Sequence, residues 1–99
     1  MSPDDVFKAK KIQAVLVRNY VDTSKIDVDV HQSTAYLTGD LYIAEFDRRS
    51  KDPTELQMAV KKACLTIEQE IRRGGDIYDI QWKLRNWERI GTQWHKKKV

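Results

Sequence analysis

The feature that most constrains the fold is a pair of short segments in which apolar and polar residues alternate. The run Ile26–His31 alternates strictly, and a period of two indicates a strand that is buried on one side only. After a turn at Gln32-Ser33, residues 35–42 alternate in the same way, with Gly39 in one of the apolar positions. The two segments together predict a β-hairpin with one apolar face.

An amphipathic helix is predicted on each side of this hairpin in the chain. Apolar residues recur at helical spacing between Asp4 and Tyr20 and again between Leu56 and Ile71, so each helix turns one stripe toward a core. The dipeptide Asp52-Pro53 can supply the N-cap and the first residue of the second helix. Two glycines after Arg73 predict its end, because glycine enters the left-handed C-cap without strain.

A third strand follows the second helix, since apolar and polar residues alternate again over residues 80–85. The order α-β-β-α-β predicts an α+β fold, a two-layer sandwich in which two helices cover one face of a three-stranded mixed sheet. Two aspartates face solvent on the first strand and two basic residues do so on the third. Opposite charges on neighbouring strands stabilise a sheet, so we expect the first strand at its centre.

Length and charge divide the chain into a domain and an extension. A chain of 99 residues has enough apolar surface for one core, and we expect residues 1–86 to form it. Residues 87–99 are expected to be a basic, aromatic C-terminal extension. The chain carries a net charge of +3, yet residues 83–99 hold six Lys or Arg and one acid, whereas residues 1–82 hold twelve bases and fourteen acids.

The compartment is inferred from the chain start and from the cysteine content. No apolar export signal is visible at the N-terminus, and the single cysteine, Cys64, suits a reducing compartment. We therefore expect a cytoplasmic protein, or an envelope protein if the chain is a trimmed fragment.

The hairpin and the end of the second helix resemble the BON domain family. Members typically show an alternating first strand, a short turn and a second strand that reads roughly V-x-L-x-G-x-V. The matching residues here are Ala35, Leu37, Gly39 and Leu41. The closing pattern, a helix that runs into glycine and then a strand, is similar to Ile71–Gly75 followed by Ile77, Ile80 and Trp82.

This similarity covers about residues 6–86, most of the chain. It implies the α-β-β-α-β fold and a non-catalytic module proposed to bind phospholipid or other surfaces, which in most relatives lies in the bacterial envelope. The family has no residue-level functional motif, so the resemblance assigns no site residue.

The residues that catalysis or metal binding would need form no recognisable pattern. Cys64 lies beside the apolar stripe of the second helix and is expected in the core. His31 and His95 have no neighbouring pattern of nucleophile and acid, and the dispersed histidines and cysteine lack zinc-ligand spacing. We expect no catalytic residue, no metal site and no cofactor.

Two surfaces are candidates for binding a partner. On the outward sheet face, aromatic and basic residues could hold single-stranded nucleic acid, although aspartates on the same face would repel its phosphates. In the C-terminal extension, tryptophans among lysines suit a membrane interface or an anionic partner; the alternative is a strand extension with Trp87 packed over the core edge. The candidate binding residues are Tyr36, Tyr42, Lys83, Arg85, Trp87, Trp94, Lys96, Lys97 and Lys98.

The sequence therefore favours a non-catalytic, BON-like module that engages a protein partner or an anionic lipid surface. Binding of single-stranded nucleic acid through the sheet face and basic tail is the alternative. Homo-oligomerisation is a further hypothesis, because an exposed strand edge is a natural pairing site.

Overall fold

A computed structural model describes residues 3–44 and 52–97. Within them lie two long helices and five strands: α1 (Pro3–Arg18), β1 (Ile26–His31), β2 (Thr34–Gly39), α2 (Pro53–Arg73), β3 (Asp79–Leu84), β4 (Trp87–Ile90) and β5 (Gln93–Lys96). The predicted α+β class, with two helices and a three-stranded mixed sheet, is confirmed. None of the helices in the described residues is long and apolar enough to cross a bilayer.

The order of the main sheet is β1-β2-β3, with β1 antiparallel and β3 parallel to the central β2. The prediction that the first strand lies in the centre is wrong. The central strand is the one whose inward residues, Ala35 and Leu37, are completely buried. Exposed charges on flanking strands contribute at most about 1 kcal/mol per pair, too little to outweigh the burial of that strand.

Strand β2 ends at Gly39, earlier than the alternation predicts. Gly39 has φ = +125°, a region that side chains rarely adopt, and a Cβ there would run into the carbonyl oxygen of Lys25. The next amide, that of Asp40, donates to the same oxygen at 2.9 Å. The chain therefore leaves the strand at this glycine, and Tyr42 lies beyond it.

The core lies between the helices and the inward face of the sheet. Helix α1 buries Ala9, Ile12, Val15 and Leu16, and α2 buries Val60, Cys64, Ile67 and Ile71. Both sets belong to one cluster with the inward side chains of the three strands. The predicted cap of α2 is present, since the Asp52 carboxylate accepts from the Thr54 amide at 2.9 Å.

Residues 87–96 form a second, two-stranded antiparallel sheet of β4 and β5. Their tryptophans, Trp87 and Trp94, are only 4% and 3% exposed and belong to the same core cluster as the helices. The predicted boundary after residue 86 therefore does not separate two packing units. The sequence left two alternatives for this segment: a surface that binds a membrane or an anionic partner, and a strand extension with Trp87 packed over the core edge. The structure has strands here, and Trp87 is packed on the core.

Candidate functional site

The centre of the outward sheet face is occupied by Tyr36. The Lys83 ammonium lies 5.4 Å from the centroid of the Tyr36 ring, a distance suited to a cation–π contact. His31 approaches the same ring edge-on, with 6.2 Å between centroids. The structure thus brings Tyr36 and Lys83 together, as predicted, but both are engaged with neighbours.

The other residues predicted for this face lie apart from that pair. Arg85 donates to the carboxylate of Asp40 at 2.6 Å. Tyr42, beyond the end of β2, has the Lys25 ammonium 4.5 Å from its ring centroid. The predicted continuous surface of tyrosines and bases is therefore divided into separate contacts.

Carboxylates outnumber bases on the outward sheet face. Asp27 and Asp29 project from β1 and are exposed, and Asp79 projects from β3. The face includes Lys83 in addition to the Asp40–Arg85 pair, whose charges cancel. A phosphate backbone placed on this face would meet a net negative charge.

The two tryptophans predicted to form part of a C-terminal binding surface, Trp87 and Trp94, are buried. Trp94 packs edge-on against Trp82 of β3, with 5.6 Å between the ring centroids and an interplanar angle of 89°. Both Trp94 and Trp87 are buried, so neither ring is available to a bilayer or an external partner in this conformation.

The lysines at this end have different surroundings. Lys96 is exposed. The Lys97 amide donates to the Asn86 carbonyl at 2.9 Å, and its ammonium donates to the Leu84 carbonyl at 3.3 Å. Lys98 lies outside the described residues. As far as residue 97, the segment predicted to be a C-terminal extension is hydrogen-bonded to the domain.

Glu68 joins α2 to β3 and β4. Its carboxylate is nearly buried and accepts from the Trp82 indole at 2.8 Å and from the Arg89 guanidinium at 2.7 Å. A longer contact, 3.5 Å, comes from Arg72 one turn along the helix. Sequence reasoning missed this role; the signal is a glutamate that falls next to the apolar stripe of α2.

Cys64 is not poised for chemistry. Its thiol is buried, and desolvation, with a smaller contribution from the negative charge of Glu68, raises its pKa far above the usual range for cysteine. Since the thiolate is the nucleophile, the side chain is inert in the folded protein. No group of three or more His, Cys, Asp or Glu within residues 3–44 and 52–97 is placed to hold a metal ion.

We expect iodoacetamide to leave Cys64 unmodified in the native protein and to alkylate it fully in denaturant. Mass spectrometry over a time course at pH 8 measures both rates. Stoichiometric labelling of the folded domain at the rate of the denatured chain would contradict the burial of this thiol.

The outer sides of the two helices expose apolar groups that the sequence analysis did not single out. Phe7 and Val17 on α1 are 61% and 59% exposed, and Met58 and Leu65 on α2 are 67% and 56% exposed. All four project away from the buried stripes of their helices. Lysines lie among them, and we call the whole set the helical surface: Phe7, Lys10, Val17, Met58, Lys61, Lys62 and Leu65.

The helical surface is basic as well as apolar. Between Val6 and Arg18, α1 carries four bases and no acid, and between Leu56 and Ile67, α2 carries two bases and no acid. Lys10, Lys61 and Lys62 have no ion-pair partner among the described residues. A groove of about 340 Å³ runs beside Met58 and Leu65 toward β5.

Searches against protein-family models, curated proteins and solved structures found no match to this chain. The resemblance to BON domains therefore stays a prediction from the residue pattern. The site is defined by its own geometry: an acidic sheet face on one side of the domain and a basic, apolar helical surface on the other.

Proposed function

We propose that this chain is a non-catalytic binding module that docks on the anionic surface of a phospholipid bilayer through the helical surface. One observation carries the proposal. Four large apolar side chains are exposed among lysines whose charges no described acid neutralises. Exposed apolar groups rimmed by bases are the combination that interfacial helices use to bind anionic lipid.

The distribution of charge sets the orientation of this docking. Each basic residue near an anionic membrane contributes on the order of 1 kcal/mol, so Lys10, Lys61 and Lys62 draw the helices toward it. The aspartates of the sheet face are repelled and point to solvent. Because these charges are exposed, binding is weak, reversible and screened by salt.

The BON resemblance supports the same class of function, since it implies a module that binds phospholipid or other surfaces. The contact, however, is proposed on the helices rather than on the sheet face or the tail. A cytoplasmic location would suit it, because the cytoplasmic leaflet is the anionic one. Nucleic-acid binding through the sheet face has less support, because that face carries more acids than bases.

Co-sedimentation with vesicles tests the proposal. At about 50 mM salt we expect binding to vesicles of phosphatidylcholine with a third phosphatidylserine, and much weaker binding to phosphatidylcholine alone. Lys61→Glu changes the local charge by two and should weaken binding by about tenfold or more. Met58→Ser should also weaken it, by removing an inserted apolar group.

The matched control is Lys83→Glu, the same charge change on the sheet face. We expect it to reduce binding less than threefold, at a protein concentration where the chain is monomeric. Equal losses in Lys61→Glu and Lys83→Glu would show an unoriented charge effect and overturn the assignment of the surface. Absence of binding to anionic vesicles at low salt would overturn the lipid proposal and leave an acidic protein partner as the next to test.

A further inference from the structure

A groove of about 250 Å³ lies between α1 and the C-terminal part of α2, and none of the residues of the helical surface lines it. Four apolar side chains of the core form its floor: Ile12, Val15, Ile71 and Ile77. Ala14 lines the groove and is exposed. A molecule seated here would contact the Ala14 methyl, the edges of the floor and the aliphatic stems of the basic residues that line the groove.

Two ion pairs join α1 to the other side of the groove. The Lys11 ammonium lies 3.4 Å from the Asp76 carboxylate, and the Arg18 guanidinium lies 3.0 Å from that of Glu70. The two basic residues are seven positions apart, about 10 Å along the helix. The pKa of Glu70 is lowered, mainly by the hydrogen bond from Arg18, so this pair is charged at neutral pH. The groove is therefore flanked by charges, with apolar contacts between them.

The groove has more positive than negative charge at the Lys11 pair. The Lys8 ammonium, which lines the groove, donates to the Gln32 carbonyl at 3.4 Å, and it has no ion-pair partner in residues 3–44 and 52–97. The Lys11–Asp76 pair is long, and both side chains are about half exposed, so it stabilises the fold little. Since each ammonium carries three donors, Lys8 and Lys11 can both donate to a further anion.

We propose that this groove binds a small monocarboxylate with a short apolar body. The carboxylate accepts from Lys8 and Lys11, and the apolar part lies along the floor toward Val15 and Ile71. Three bases and two acids line the groove, so one negative charge neutralises it, whereas a dianion such as phosphate would leave it negative. This balance favours a carboxylate.

The volume of the groove sets the size of the ligand. A cavity of about 150 Å³ can take a benzene ring, so this groove has room for one ring, or roughly six carbons in a chain, with the carboxylate. Because the groove is open to solvent on one side, we expect weak binding, with a Kd for hexanoate of roughly 1–10 mM. Each methylene removed from the chain should weaken binding about twofold.

Titration of the ¹⁵N-labelled chain with sodium hexanoate, followed by amide chemical shifts, tests the proposal. We expect saturable shifts at Lys11, Val15, Ile71 and Gly74, and none at Thr38 on the sheet face. Propanoate, three carbons shorter, should bind about tenfold more weakly. The alcohol 1-hexanol, with the same apolar body and no charge, should bind at least about fivefold more weakly.

Two variants separate the charge from the space. Lys8→Gln removes the unneutralised positive charge and should weaken hexanoate binding about fivefold. Ala14→Phe places a ring at an exposed helical position that lines the groove, and it should weaken both hexanoate and 1-hexanol by about fivefold or more. Lys83→Gln, the same loss of charge on the sheet face, should change the Kd for hexanoate by less than about twofold. Circular dichroism melting checks that each variant is folded.

This site and the lipid-docking surface can fail independently. Lys61→Glu, which should weaken vesicle binding, should leave the hexanoate titration unchanged. Absence of saturable shifts up to about 50 mM hexanoate, or shifts centred on Met58 and Leu65, would overturn the proposed site. Equal affinity for hexanoate and 1-hexanol, or equal losses in Lys8→Gln and Lys83→Gln, would overturn the recognition of a carboxylate in the groove.

Discussion

Replacing Gly39 with alanine is expected to destabilise the domain by about 3–4 kcal/mol and to lower its Tm by roughly 15 °C. Two effects add. The backbone has φ = +125° at this residue, and the new Cβ would meet the Lys25 carbonyl oxygen, a backbone atom that cannot swing aside. Moving it also disturbs the hydrogen bond from the Asp40 amide. Calorimetric melting and urea denaturation measure the loss.

Gly91→Ala is the matched control. Gly91 also has a positive φ, +62°, but nothing lies within 4 Å of a Cβ built there. Its replacement should cost about 1 kcal/mol, the conformational penalty alone. Equal losses for the two variants would contradict the assignment of a close backbone contact to Gly39.

Asn86→Asp is expected to cost about 3 kcal/mol at neutral pH, through loss of one hydrogen bond and burial of a charge. The Asn86 amide is buried, accepts from the Leu41 amide at 2.9 Å and donates to the Leu41 carbonyl at 2.8 Å. It thereby holds the chain after β2 against the start of the β4–β5 hairpin. A carboxylate of the same shape keeps the first bond but sets its charge against the Leu41 carbonyl oxygen.

The control for this prediction is Gln93→Glu, the same change of amide to carboxylate at an exposed position. It should shift the free energy of unfolding, measured in urea, by less than about 0.5 kcal/mol. A loss of stability for Asn86→Asp as small as that for Gln93→Glu would contradict this account. The paired hydrogen bonds to Leu41 would then not hold the chain after β2 against the β4–β5 hairpin in solution.

Local patterns were sufficient for the two helices and the three strands of the main sheet, but not for the order of those strands. The alternation in Ile26–His31 and the stripe from Leu56 to Ile71 predicted a strand and a helix, because burial on one side imposes a period. The sheet order depends on which strand the core covers most completely, a property of the whole chain. The charges of Asp27 and Lys83, used to predict that order, are exposed and contribute too little to decide it.

The hairpin at the C-terminal end was missed for a related reason. Its strands are four residues long, and two of their side chains, Trp87 and Trp94, turn inward. A strand that short contains only two periods of alternation, and tryptophan beside lysine suits a surface equally well. The burial of both tryptophans and the Trp82–Trp94 contact, which joins residues on separate strands, show which alternative holds.

The helical surface carried a weak signal that could have been used. Met58 and Leu65 are seven residues apart and share the polar side of α2, where two lysines separate them. Single apolar residues on a polar helical face are common and need no explanation. Their significance depends on α1, which packs on the same core and also exposes two apolar side chains, Phe7 and Val17.

Paramagnetic broadening by bilayers tests the central claim most directly. The ¹⁵N-labelled chain would be added to nanodiscs of phosphatidylcholine with a third phosphatidylserine, with and without a gadolinium-chelating lipid. We expect the amide signals of Phe7, Met58 and Leu65 to lose most of their intensity, while those of Tyr36 and Thr38 on the sheet face persist. Equal broadening of both faces, or stronger loss on the sheet face, would contradict docking through the helical surface.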